Sequence, residues 1–221
     1  MLSDHLRVLY LHGFASGSTS RKAQFFRQRL ADFNVRLEIP ELCEGTFEHL
    51  TITGQLHVVE REIVSAQAPG EGLVLIGSSL GGYLAALFAS RHPEVDRLLL
   101  LAPAFDFHRL WVDSLGPERL ALWRNNGTMP IFHYGQGREV PLGYQLMEDA
   151  SGYEAYPVFG QPALIFHGTR DPVVPVQYAA AFAREHENAR LVELDSGHEL
   201  TDVLDEIWRE SQDFLLGGTR N

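Results

Sequence analysis

Six short apolar runs, at 7–12, 35–40, 72–77, 97–102, 163–167 and 191–194, constrain this chain more than any other feature of its sequence. Most are nearly continuous rather than alternating, and a continuous run suits a parallel strand covered on both faces. Helical patterns lie between them, at 20–32, 50–66, 80–91, 176–186 and 201–215. Strand and helix in alternation predict an α/β fold, a doubly wound and mainly parallel six-stranded sheet with helices on both faces. A chain of 221 residues suits one such domain over 1–221 and can bury a full core without staples.

Composition removes several classes of function. The formal charge is −11, from 18 Lys+Arg against 29 Asp+Glu, which opposes the basic footprint of a nucleic-acid binder. It also opposes docking on an anionic membrane. The single cysteine, Cys43, excludes an intrachain disulfide and a multi-cysteine metal cluster. The ten histidines form no H-E-x-x-H and no close His/Asp ladder, so no metal and no other cofactor is expected. No signal peptide and no 18-residue apolar stretch is visible, and the expectation is a soluble, cytoplasmic protein, monomer or homodimer. Lys22 is the only lysine among the 18 basic residues.

One stretch breaks the alternation. Residues 105–160 separate the fourth and fifth strands and carry 10 of the 23 aromatic side chains. Long inserts in compact domains are lids, binding loops or disorder, and this aromatic content opposes disorder. The stretch reads as a lid-like insert with a helix at 110–124 and a hairpin at 129–147 around Gly135 and Gly137. Its aromatic residues, with Phe105, Trp111 and Trp123 foremost, are candidates for a substrate pocket. His12 is a further candidate.

The chemistry concentrates at three loops. Gly77-Ser78-Ser79-Leu80-Gly81 follows an apolar strand and opens a small-residue helix, the context in which G-x-S-x-G reads as a nucleophile elbow. Ser79 must project from a sharp turn, and side chains at Gly77 or Gly81 would collide with the adjacent backbone. A nucleophilic serine needs a base and a group to orient it. His167-Gly168-Thr169-Arg170-Asp171 leaves the fifth strand, and Asp195-Ser196-Gly197-His198 leaves the sixth. Ser79, Asp171 and His198 therefore fall at one edge of the sheet, where open α/β sheets bind ligands. Asp195 is the alternative orienter and Ser78 the alternative nucleophile. Leu11-His12-Gly13-Phe14 leaves the first strand at the same edge. Its Phe14 amide, with that of Leu80 at the head of the elbow helix, would form an oxyanion hole.

These pieces resemble an α/β-hydrolase and, within that superfamily, the small YqiA-like esterases. The likeness rests on Leu9-Tyr10-Leu11-His12-Gly13-Phe14, Ser20-Arg21-Lys22, Gly77 to Tyr83, His167 to Asp171 and Ser196-Gly197-His198. It implies the α/β-hydrolase fold with strand order 2-1-3-4-5-6, without the two antiparallel strands that open a full sheet of this kind. It also implies Ser79 as nucleophile, His198 as base and then acid, and Asp171 as orienter. The expected activity is hydrolysis of small to medium carboxylic esters through an acyl-enzyme. The same machinery serves acyl thioesters, for which Arg21, Lys22, Arg27 and Arg29 would meet phosphates of a carrier unless they form a solvated helix face. A ligand binder that has lost the chemistry is the other alternative. The expected partner is thus a small-molecule ester or thioester.

Overall fold

A computed structural model describes residues 6–66 and 71–217. Its elements in chain order are β1 (Leu6–Leu11), α1 (Arg21–Ala31), β2 (Leu37–Glu38), α2 (Ile52–Ala66), β3 (Gly72–Ser78), α3 (Leu80–Ala89) and β4 (Val95–Leu101). There follow α4 (Phe107–Asn126), β5 (Thr128–His133), β6 (Arg138–Gly143), α5 (Gln145–Ala150), β7 (Ala163–Gly168), α6 (Val176–Glu185), β8 (Ala189–Leu194) and α7 (Leu204–Leu216).

Six strands form one sheet in the order β2-β1-β3-β4-β7-β8, and every pairing within it is parallel. The insert's hairpin takes the numbers 5 and 6. Counted without it, the main sheet runs 2-1-3-4-5-6. The strands alternate their side chains between two apolar layers, as the period of two requires. Leu9, Leu75, Leu98 and Ile165 pack with α2, α3 and α6. Val8, Val74, Leu99 and Phe166 pack with α1 and α7 on the other face. Burial on both faces accounts for the continuous apolar runs.

Helix α3 is buried at every position from Leu80 to Ala89, which suits its lack of polar residues. Helix α1 starts at Ser20, whose hydroxyl accepts from the Ala23 amide at 3.3 Å. The second strand is shorter than its apolar run. Only 37–38 pair, with Val8 and Leu9, because β2 has one neighbour and Pro40 offers no N–H to extend the ladder.

The insert is ordered into defined pieces. Helix α4 is interrupted at Gly116 (φ 72°, ψ 167°) before Pro117, so it runs as two halves. Strands β5 and β6 pair antiparallel from Thr128↔Gly143 to His133↔Arg138. The hairpin closes at Gly143, and 145–150 fold as α5, so the expected span of 129–147 was too long at its end. The hairpin tip is pinned to the loop after β1 by a 2.9 Å bond from the Tyr134 amide to the Ala15 carbonyl. No helix among the described residues is long and apolar enough to cross a membrane.

Among the described glycines, the closest backbone approach lies between α3 and the end of β1. A Cβ on Gly81 would overlap the Leu11 carbonyl oxygen and lie 2.6 Å from that of His12, and all of these are backbone atoms. Gly81→Ala is expected to destabilise the protein by about 3 kcal/mol, the upper end for overpacking, because no flexible side chain can yield. Chemical denaturation measures this. In a chain of this size the melting temperature should fall by roughly 6–12 °C.

Candidate active site

Backbone strain collects at one edge of the sheet. Among the described residues, six non-glycine positions have positive φ: Ala15, Asn34, Ser79, Ala102, Asp106 and Leu200. All but Asn34 lie in loops at the carboxyl ends of β1, β3, β4 and β8. Residues held in sparsely populated conformations cluster at sites that the surrounding structure over-determines.

Ser79 has φ 54° and ψ −119°, the sharp turn between β3 and α3. Its amide donates to the Leu101 carbonyl at 2.9 Å, and its carbonyl accepts from Gly82 and Ala104 at 2.9 and 3.0 Å. The strained residue is thus held from both sides. A Cβ on Gly77 would sit 2.6 Å from the Gly82 Cα, so the turn closes only with glycine there.

Ser79 Oγ lies 3.0 Å from His198 Nε2, and His198 Nδ1 lies 2.7 Å from Asp171 Oδ2. Three loops meet to make this chain of hydrogen bonds. Two of them, after β7 and β8, are zipped together. The Thr169 amide donates to the Leu194 carbonyl at 2.8 Å and the Arg170 amide to the Ser196 carbonyl at 3.0 Å. A Cβ on Gly168 would lie 2.6 Å from the Gly197 carbonyl oxygen, which fixes how closely the loops run.

Asp171 is buried and fully supplied with donors. Its Oδ1 accepts from the Val173 and Val174 amides at 2.8 and 2.9 Å. Its Oδ2 has His198 on one side and His167 Nε2 at 3.3 Å on the other. Burial by itself would raise the carboxyl pKa. The hydrogen bonds from His167 and His198, the charge of His198 and the Val174 amide outweigh burial and hold it well below the ordinary value. His167 is wholly buried and also reaches the Val174 carbonyl at 2.8 Å. It is a structural partner of Asp171 that sequence reasoning named only as a histidine near this edge.

The alternatives fall elsewhere. Asp195 is exposed and pairs with Arg170 at 2.6 Å, away from His198. Ser78 is buried, with Tyr10 as its hydrogen-bond partner. Gly13 packs closely on the elbow, since a Cβ there would lie 3.3 Å from the Ser78 carbonyl oxygen. Neither the Phe14 amide nor the Leu80 amide donates to an acceptor among the described residues.

An apolar cleft of about 350 Å³ opens from Ser79, lined by Phe14, Leu110, Trp111, Leu115, Met129 and Ile131. Both parts of the insert, helix and hairpin, supply its walls. Trp111 stands in it, edge-on to Phe14 at 5.1 Å. Three other expected substrate contacts do not line it. Phe105 is wholly buried and stacks on Phe182 at 4.3 Å, because it faces the core below the insert. Trp123 is buried behind Trp111 and donates its indole N–H to the Leu142 carbonyl at 2.9 Å, tying α4 to the hairpin. His12 turns away, with Nδ1 3.0 Å from the Gly13 carbonyl and Nε2 accepting from the Leu42 amide at 3.4 Å. No group of three or more His, Cys, Asp or Glu among the described residues is arranged to hold a metal ion.

Over residues 7–215 the sequence matches the model of the Uncharacterised protein family (UPF0227). The chain belongs to this family. No curated protein is similar enough in sequence to match it. Among solved structures, the chain is similar to Est1E of Butyrivibrio proteoclasticus with ferulic acid bound, at a TM-score of 0.82 and 19% identity over 98% of this chain and 90% of that one. A putative hydrolase of Agrobacterium vitis S4 gives 0.82 and 23%, over 96% and 88%. A monoacylglycerol lipase of Paleococcus ferrophilus gives 0.73 and 16%, over 95% and 93%. These likenesses show that this UPF0227 member has the α/β-hydrolase fold.

The lowered pKa of Asp171 couples to stability with a definite sign. A carboxyl whose folded pKa lies below its unfolded value stabilises the fold in full above that unfolded value, ordinarily 3.8, and the contribution shrinks progressively as pH falls from there toward the lower folded value. Wild type should therefore exceed Asp171→Asn in stability at pH 7, and the gap should narrow by pH 3. Urea titrations at the two pH values measure it, and a gap independent of pH would contradict an ionised, hydrogen-bonded Asp171.

Proposed function

We propose that this protein is a serine hydrolase that cleaves carboxylic esters of small to medium acyl groups. The observation that carries the reading is the unbroken series Asp171 to His198 to Ser79, at 2.7 and 3.0 Å, opening directly onto an apolar cleft. Its fold neighbours include Est1E with ferulic acid bound and a protein described as a monoacylglycerol lipase, which agrees with this class of chemistry.

The roles follow from the geometry. Ser79 Oγ attacks the acyl carbon as its proton passes to His198 Nε2. Asp171 orients the imidazole through Nδ1 and stabilises the positive charge that forms on it. The oxyanion forms beside the Phe14 and Leu80 amides, which have no competing acceptor among the described residues and, at Leu80, the N-terminal dipole of α3 behind them. The carbon–oxygen bond to the leaving group then breaks, and His198 returns the proton to the departing alcohol. Water repeats the sequence on the acyl-enzyme and releases the acid. The same attack serves an acyl thioester with no change of residues. The complete hydrogen-bonded series opposes the reading of a binder that has lost its chemistry.

A fluorophosphonate probe needs an activated serine and little else. One adduct is expected on the wild type by intact mass and none on Ser79→Ala, whose turnover of butyrate esters should fall about 10⁶-fold if the three residues act as a unit. A folded wild type without an adduct would overturn the reading, and matched butyryl esters and thioesters separate the two leaving groups.

Trp111 bounds the acyl cleft and is backed by Trp123 at 5.5 Å. Trp111→Ala should open the cleft toward Trp123 and move the optimum acyl length upward by one or more methylenes. Profiles of kcat/KM over a series of acyl lengths measure the shift, and an unchanged optimum would place the acyl group elsewhere.

A further inference from the structure

The chain's only lysine is buried beside the candidate active site, not on a solvated helix face. Of the basic residues on α1, Arg21 and Arg27 are exposed, and Arg29 pairs with Asp205 on α7. Lys22 alone turns inward, with 9% of its side chain exposed. Its Nζ lies 3.5 Å from Glu199 Oε2, well beyond the roughly 2.7–2.9 Å of a charge-assisted bond. Glu199 itself is 75% exposed.

Other buried cations in this protein are treated differently. Arg7 has Glu38 at 2.6 Å and the carbonyls of Glu62 and Ile63 at 2.8 and 3.0 Å. Arg97 reaches the carbonyls of Phe214 and Gly217. Among the described residues Lys22 has one loose partner, which faces water, so its ammonium is under-compensated for its burial. Burial accordingly lowers its pKa, against the pull of Glu199 and the more remote charge of Asp171.

Lys22 lines a second cleft, of about 580 Å³, that also starts at Ser79. Its other walls include Ser16, Thr19, Thr201 and Arg21, beside Phe14 and Val173, which also line the first cleft. His198 lines this cleft and not the apolar one. That asymmetry sets the direction of the substrate. The leaving oxygen must stand within reach of His198 Nε2 to collect its proton. The leaving group therefore lies on the hydroxyl-lined side and the acyl chain on the apolar side.

We propose that the hydroxyl-lined cleft is a leaving-group subsite for a hydroxy acid, whose carboxylate is held by Lys22 in place of Glu199. The orientation rests on the serine-hydrolase reading above. Lys22 is the buried cation of this cleft, with the exposed Arg21 also on its wall; an ammonium already beside the acidic Glu199, in a chain of net charge −11, suits a monoanion over a phosphate dianion. In the reaction the Ser79 Oγ–acyl bond forms, the acyl–oxygen bond breaks, and the hydroxy acid leaves with its hydroxyl protonated by His198 and its carboxylate unchanged.

The test compares the butyrate esters of 3-hydroxybenzoate and 3-hydroxybenzamide, which differ in charge and little in shape. The wild type should prefer the carboxylate ester in kcat/KM by about tenfold, the scale of one hydrogen bond to a charged group. The ratio should fall to about one in Lys22→Met, which keeps the buried volume, and should rise in Glu199→Gln, which removes the competing charge. A ratio of one in the wild type, or one unmoved by Lys22→Met with the fold intact by circular dichroism, would overturn the proposal. Calorimetry with free 3-hydroxybenzoate reads the subsite without catalysis, and Lys22→Met should weaken binding about tenfold. If the hydrolase reading fails, both turnover and the fluorophosphonate adduct are missing. Lys22-dependent binding of 3-hydroxybenzoate then still supports the anion site, and no binding to the wild type overturns it. Tighter binding of 3-hydroxyphenyl phosphate would overturn the choice of a carboxylate.

Discussion

The close passage of α3 across the ends of β1 and β3 is the contact from which the rest of the site follows. It brings the head of a wholly buried helix onto the backbone of Leu11 and His12, with no side chain between them at Gly81 or Gly77. Ser79 is left at positive φ, clamped by Leu101 and Ala104 on the neighbouring strand and its loop. The apolar burial of α3 and the parallel ladder on both sides of β3 stabilise this strained turn from outside it. A residue held this firmly presents its hydroxyl in one direction, which a hydrogen-bond chain of three side chains requires.

A second layer of constraint lies in the loops after β7 and β8. Asp171 is oriented by two backbone amides and by two histidines, and only one of those histidines reaches Ser79. The zipped backbones of Thr169, Arg170, Leu194 and Ser196 hold the Asp171 loop and the His198 loop as one unit. Gly168 is part of that unit because the two backbones pass too close for a side chain. The insert then divides the space above Ser79. Its helix and hairpin wall the apolar cleft, while the hairpin tip bonds to the Ala15 carbonyl on the loop that carries Phe14. The shape of the apolar cleft and the backbone of the β1 loop are thereby linked through a hydrogen bond.

Much of this was legible residue by residue. The six strands follow from continuous apolar runs, since a strand covered on both faces has no polar side to show. The relation of Ser79, Asp171 and His198 was legible because each follows an identifiable strand, and parallel strands deliver their loops to one edge. The aromatic insert misled in part. Phe105 and Trp123 carry the composition of pocket residues but serve as packing, Phe105 beneath the insert and Trp123 within it. An aromatic ring buries similar area in a core or in a cleft, so residue type does not distinguish the two. Lys22 misled in the opposite direction, because a basic residue in a helix of arginines reads as solvated until the packing of α1 shows which side it occupies.

The positions of strands and helices along the chain and the three chemical loops of this UPF0227 member were legible in the sequence alone, because periodicity and chain order are local properties read along the backbone; the order of the strands within the sheet came only with the family resemblance. What only the tertiary structure decided is which side chains meet across long separations. The contacts between Ser79 and His198, between Asp171 and His167, and between Lys22 and Glu199 depend on how loops pack in three dimensions. So does the division of the space over Ser79 into an apolar cleft and a hydroxyl-lined one. Neither period nor spacing carries that information, since it arises from the packing of helices whose exposed and buried sides are set jointly by all their neighbours.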